Sequence, residues 1–129
     1  MKQRVFVSYA GEDRPYAVRL LSQLGDLDLS GLMDQADISA NNYVMKTIRS
    51  KLGESNAVLV LVSPRSIASQ WVDFEVGASQ ALGKRIVPIL IKGENIESQL
   101  PKALQGMELV DARNASLEDV VRKIRDSIA

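Results

Sequence analysis

The chain has 129 residues, 46% of them hydrophobic and 25% charged, enough for one domain with a real core and too apolar for a disordered chain. Sixteen basic and sixteen acidic residues cancel, which removes the electrostatic reason to expect nucleic acid or an anionic membrane as the main partner. With no cysteine and no histidine, disulfides, Cys/His zinc sites, Ser-His-Asp triads and Cys-His dyads are excluded, and any chemistry falls to carboxylates, hydroxyls, Lys/Arg and backbone groups. The first apolar run is too short for a signal-peptide core and no run approaches a membrane span. Together with the missing cysteine, this leads us to expect a single cytoplasmic domain over residues 1–129, a whole protein or an excised piece of one, with no membrane partner.

In chain order, Arg4 to Tyr9 (RVFVSY) is near-continuous and rich in β-branched residues, as a strand covered on both faces tends to be. After Asp13-Arg14-Pro15, the spacing of Ala17, Leu20, Leu21 and Leu24 predicts a helix that Gly25 stops. A weaker strand is predicted at Leu29 to Met33. Beyond the loop Asp34 to Asn42, the stripe Val44, Met45, Ile48 and Leu52 predicts a helix with Asn42 as N-cap and Gly53 as stop. Asn56 to Ser63 (NAVLVLVS) is the second strong strand, Ser69 to Gly83 (SQWVDFEVGASQALG) a helix, and Arg85 to Ile91 (RIVPILI) the third strong strand. Pro88 has no N–H to give a ladder, so that strand is expected near the sheet edge or at a bulge. A short strand is predicted at Glu108-Leu109-Val110. The terminal SLEDVVRKIRDSIA opens with Ser116 and Asp119 in a capping-box pattern and continues with the stripe Leu117, Val120, Val121, Ile124. Alternating strands and helices argue for a parallel sheet with helices on both faces.

In such sheets a ligand crevice lies beyond the carboxyl ends of the strands, here Ser8-Tyr9-Ala10, Met33-Asp34 and Ser63-Pro64. The helix after Ser63 begins beside that crevice. On a helical wheel Phe74, Ala78, Ala81, Leu82, Val72 and Val76 spread with Trp71 over a broad apolar arc, and Glu75 falls inside it, about 40° from Trp71. Several doubly wound relatives are set aside. There is no Walker loop and no G-x-G-x-x-G. A phosphate-receiving regulator wants acidic residues at the tips of the first and third strands, where Ser8-Tyr9-Ala10 and Ser63-Pro64 stand. The loop Ala10-Gly11-Glu12-Asp13 would repel a flavin phosphate.

RVFVSYAGED, MDQADI, VLVLVSPRSIASQWVDFEVGAS and RIVPILI resemble the successive boxes of a Toll/interleukin-1 receptor (TIR) domain of bacterial type, over roughly the first ninety residues. The specific part is S-P-x-x-x-x-S-x-W-x-x-x-E, at Ser63, Pro64, Ser69, Trp71 and Glu75. The resemblance implies a flavodoxin-like three-layer α/β sandwich with a five-stranded parallel sheet in the order 2-1-3-4-5. It also implies one of two functions. Some TIR domains are scaffolds acting by TIR–TIR association. Others cleave NAD+ with release of nicotinamide, using a glutamate in this W-x-x-x-E position, which here is Glu75.

By the same resemblance Ser8, Tyr9, Ala10, Asp34, Ser69 and Trp71 would shape the substrate pocket. The stretch with Ile38, Ala40, Asn41, Asn42 and Tyr43 corresponds to the BB loop that mediates assembly. Its usual Pro-Gly pair is replaced by Ala40-Asn41-Asn42, and Asn tolerates the positive φ of a turn. NAD+ would be a substrate, with no cofactor or metal implied. The partners would be other TIR domains and a fused or separate sensor module, in signalling or antiphage defence.

One carboxylate suits this chemistry. Ordinary glycosides need two, because the leaving oxygen must be protonated. The pyridinium of NAD+ departs neutral without an acid, and only the positive charge growing on the ribose needs stabilising. Plainer readings of the same residues stand beside these: Glu75 on a solvated face, Ser69 as an N-cap, Tyr9 and Ala10 ordering a strand tip, Asp34 ending a strand, Trp71 as a core aromatic. A nucleoside N-glycosidase on a similar sheet is a further alternative.

Overall fold

The computed structural model describes residues 3–25, 29–33, 53–68 and 70–128, and within them β1 (Gln3–Ser8), β2 (Leu29–Met33), β3 (Ala57–Val62), β4 (Arg85–Leu90) and β5 (Val110–Asp111) form one parallel sheet. The strands lie in the order β2-β1-β3-β4-β5. Every residue of β3, the middle strand, is at most 1% exposed, which is why its sequence is apolar throughout and does not alternate.

Strand alternation divides the core into two layers. Val5, Val7 and Tyr9 join Leu59 and Leu61 on the face covered by α1 (Arg14–Gly25) and α3 (Leu117–Ile128). Phe6 joins Val58, Val60 and Val62 on the face covered by α2 (Gln70–Ala81). Helix α1 buries Ala17, Leu20 and Leu24, the stripe read from the sequence, with Leu21 partly buried against it. Helix α3 buries Val120, Val121 and Ile124. Its first turn is capped by Ser116, whose Oγ accepts the Asp119 N–H at 3.2 Å. Glu118 and Asp119 in that turn complement the positive end of the helix dipole.

Helix α2 ends on Gly83, at φ +68°, with the Gly83 N–H bonded to the Gln80 carbonyl and the Lys84 N–H to the Ser79 carbonyl, each at 3.0 Å. That pair of bonds needs a left-handed residue at position 83, which glycine adopts without steric cost. No helix among the described residues is long and apolar enough to cross a membrane.

Pro88 sits in the penultimate strand. The Ile91 N–H reaches the Val62 carbonyl, and the Leu90 carbonyl accepts from Ala112, so odd-numbered residues of β4 bond toward β3 and even-numbered ones toward β5. The Pro88 nitrogen therefore faces the β5 side, where pairing begins only at Ile89 with Val110, and no ladder bond is lost. The last strand lies at Val110–Asp111 and not at Glu108–Val110, because only two residues pair with β4. The stripe from Val44 to Leu52 lies outside the described residues.

So short an edge strand needs support from outside the ladder, and Arg113 supplies it. Its guanidinium donates to both oxygens of Asp111 (2.9 and 2.8 Å), to Glu97 Oε1 (2.7 Å) and to the Gly93 carbonyl (2.9 Å). Hydrogen bonds from the Arg113 side chain, and then from its backbone N–H, lower the Asp111 carboxyl from 3.8 to about 2. A folded-state value below the unfolded one stabilises above the unfolded pKa and is lost as pH falls, so the window here runs from about pH 4 down to pH 2. The Asp111 side chain is 54% exposed, so solvent screening keeps the contribution of the pair small. Urea unfolding of wild type and Asp111→Asn should therefore differ only slightly at pH 7 and converge as pH falls below 2.

Candidate functional site

β1 and β3 are neighbours, yet the helices that follow them pack on opposite faces of the sheet, α1 on one and α2 on the other. The chain thus diverges at the carboxyl ends of β1 and β3, the switch point at which doubly wound sheets leave room for a ligand. Ser8-Tyr9-Ala10, a 3-10 turn at Gly11–Asp13, a second one at Ser66–Ala68 and the first turns of α2 all converge there.

Ser8, Tyr9 and Ala10 are all buried. Ser8 has the strand parity of Phe6, hence that of the α2 face, and sits in register with Val60. Tyr9 has the opposite parity. Its ring is 1% exposed among the core residues under α1 and α3, and its hydroxyl accepts a hydrogen bond from Arg14 Nη1 at 3.0 Å. The backbone of Tyr9, and not its ring, is what the structure brings to the end of the sheet.

Two residues that the sequence reading did not single out as site residues organise this edge. Asp13 is a carboxylate only 4% exposed, and Ser63 Oγ, 50 residues away in the chain, donates to its Oδ2 at 2.5 Å. Ser63 Oγ in turn accepts the Ser66 N–H at 3.1 Å, Ser66 Oγ accepts the Ser63 N–H at 2.8 Å, and the Ser66 hydroxyl donates to the Ser63 carbonyl at 3.2 Å. The Asp13 N–H closes its own turn on the Ala10 carbonyl at 2.8 Å. One position earlier, Glu12 pairs with Arg65 at 2.9 Å, but both side chains are mostly exposed and the pair contributes little. The acidic loop after β1 is thus stitched to the exit of β3. A serine three residues after another at a strand end was the available signal for the Ser63–Ser66 turn. Nothing local marks Asp13, since its partner is distant in sequence.

Among the described side chains, helix α2 seats Val72, Val76 and Ser79 on the sheet and leaves Asp73, Gly77, Gln80 and Ala81 exposed, with Leu82 exposed just beyond its end, so two apolar members of the wheel's arc are not buried. Position 75 lies about 60° round the axis from Val72, on the flank away from Asp73 and one turn beyond position 71. Trp71 and Glu75 are on the described backbone of α2, but their side chains are outside the described set. Asp34, Ile38, Ala40, Asn41, Asn42, Tyr43 and Ser69 also lie outside the described residues.

On the other flank of α2 a cavity of about 270 Å³ opens between Asp73, Gly77 and the turn carrying Ala103 and Leu104. It is mainly apolar and falls below the roughly 300–1,000 Å³ of pockets for drug-sized ligands, so it does not suit a dinucleotide.

The TIR domain family model matches residues 5–125 of the sequence. No curated protein matches it. Among solved structures, the TIR domain of the Toll-related receptor TRR-2 from the lower metazoan Hydra magnipapillata superposes with a TM-score of 0.75 at 23% identity, covering 95% of this chain and 96% of that one. The RPS4 and RRS1 TIR domain heterodimer gives 0.72 at 13% identity, over 99% of each chain. The TIR domains of the activated Roq1 resistosome that directly recognises the pathogen effector XopQ give 0.71 at 16%, over 99% of this chain and 100% of that one. At such identities the likeness is one of fold. The family match itself runs from within β1 into the last helix, and on that ground the chain belongs to the TIR domain family.

Proposed function

We propose that this TIR domain is an NAD+ nucleosidase with Glu75 as its catalytic carboxylate. The observation that carries the reading is the placement of α2. It leaves β3 at the switch point and sets position 75 on a flank bordering the buried Val72–Val76–Ser79 stripe, one turn past position 71. A carboxylate there starts from a rigid helical base beside the strand ends.

The reaction breaks the bond between ribose C1′ and the pyridinium nitrogen. The bonding pair goes to nitrogen, nicotinamide departs neutral, and positive charge spreads over C1′ and the ring oxygen until a nucleophile bonds to C1′. That nucleophile is water in hydrolysis, with loss of its proton, or an adenine nitrogen in cyclisation. A fixed carboxylate stabilises the cationic sugar. Ser8, the backbone of Tyr9 and Ala10, Asp34, Ser69 and Trp71 complete the proposed pocket. NAD+ enters as a substrate, so no separate cofactor is required. In a cell such an activity would serve signalling or defence in the cytoplasm, under a fused or separate sensor module.

Self-association through residues 38–43 is part of the proposal, supported by the fold likeness to TIR domains solved as a heterodimer and within a resistosome. Nicotinamide release per chain should rise with protein concentration, and a flat specific activity over a wide range would count against assembly as the activator. The same likeness to assembled TIR domains favours a second reading, a non-catalytic module that recruits other TIR domains. It predicts no nicotinamide at any concentration and association unchanged by Glu75→Ala. The deciding experiment is NAD+ consumption at high protein concentration by wild type, Glu75→Ala and Glu75→Gln, with folding checked for each.

A further inference from the structure

We infer that Asp13 is a positioning residue for this reaction, acting through Ser63 to set the β3 exit, from which the helix carrying Glu75 departs, against the end of β1; the inference rests on the nucleosidase reading. Asp13 is nearly fully buried, and its Oδ2 receives the Ser63 hydroxyl at 2.5 Å across the junction between the two strands. Ser63 is bound reciprocally to Ser66, and the Ile67 N–H also returns to the Ser63 carbonyl, at 3.2 Å. The segment from Ser63 to Ala68 therefore forms a closed turn that is tied outside itself by the buried Asp13 carboxylate and, at the rim, by the exposed Glu12–Arg65 pair. Helix α2 begins at Gln70, directly after this turn. On the other side, the Asp13 N–H is tied to the Ala10 carbonyl, so the same residue also holds the backbone at the tip of β1.

A carboxylate accepting a hydroxyl hydrogen bond in a buried site gives a short, directional contact. Its loss frees two loops to shift relative to one another by fractions of an ångström without unfolding the sheet. Misplacement on that scale reduces the rate of a bound substrate more than its binding.

The test uses the full chain at one high protein concentration, measuring kcat and KM for NAD+ per folded molecule, with the folded fraction taken from thermal melts. Asp13→Ala should lower kcat by at least about tenfold with KM within about twofold. Asp13→Asn keeps an acceptor for the Ser63 hydroxyl and should recover kcat to within about threefold of wild type. Arg65→Ala, which removes only the exposed rim pair, should leave both constants within about twofold. Should Asp13→Ala not fold, Ser63→Ala carries the same expectation, since it removes the donor and leaves the anchor. Wild-type kcat in Asp13→Ala or Ser63→Ala, or an Asn variant no better than the Ala variant, overturns the inference and leaves the nucleosidase reading standing. A wild-type chain that releases no nicotinamide at any concentration overturns both.

Discussion

Replacing Glu75 by glutamine should lower nicotinamide release at saturating NAD+ by about a hundred- to a thousandfold, the usual cost of removing one preorganised electrostatic contact to a transition state. Glutamine keeps the size and most of the hydrogen-bonding reach of glutamate and removes only the charge. In this reaction the charge is the whole contribution, because nicotinamide needs no proton to leave. Glu75→Ala should therefore be no more than a few-fold worse than Glu75→Gln, unlike a residue that also serves as a proton carrier. Stability should move the other way. Neutralising a charge kept for function commonly leaves stability unchanged or raises it, so the melting temperature of Glu75→Gln should hold or rise. Activity lost with the fold unharmed is the expected signature. A Gln variant keeping more than about a third of wild-type turnover would show that the charge is not used, and the recruiting module would then be the better account.

The cavity on the far flank of α2 sharpens this prediction. This mainly apolar space opens on the Asp73–Gly77 side, away from position 75. The site proposed for Glu75 lies instead at the carboxyl ends of β1 and β3.

How much of this was legible in the sequence follows from what each element touches. The three strong strands were readable because both faces of the sheet are covered, so β1, β3 and β4 need apolar side chains at successive positions. Helix α3 announced itself through Ser116, Asp119 and a stripe of which Val120, Val121 and Ile124 are buried and Leu117 partly so. The wheel for α2 was less faithful. Ala81 and Leu82 are apolar but exposed, and small or isolated apolar residues say little about burial. β5 was displaced because two paired residues are too few to carry a period. At the site, Ser8, Tyr9 and Ala10 were correctly placed at a strand end, but which way the Tyr9 ring turns depends on strand parity relative to two different helix layers. Asp13 was read as one more charge in an acidic loop. Its burial is decided by Ser63, and no local pattern records that contact.

The largest expected change in stability is at Phe6. Phe6→Ala should lower the unfolding free energy by about 3–5 kcal/mol, and the melting temperature by roughly 10–20 °C for a domain of this size. The ring is fully buried on the α2 face, in a core with Val58, Val60, Val72, Val76 and Leu90. Its strand is flanked on both sides, with Phe6 in register with Leu32 of β2 and Val58 of β3, so the backbone cannot close over the space a truncation leaves. The cost is therefore near the upper part of the range, where transfer and cavity contributions add. Phe6→Leu fills most of that volume and should recover more than half of the loss. In urea the midpoint should fall while the slope m stays constant, as for a change confined to the native core. The site should feel it too. With the ring gone, Val72 and Val76 lose a support, α2 settles toward β1, and turnover should fall at temperatures where the variant remains folded. A loss under about 1 kcal/mol would mean that α2 is not seated on β1 through Phe6, and the placement of position 75 beside the strand ends would go with it.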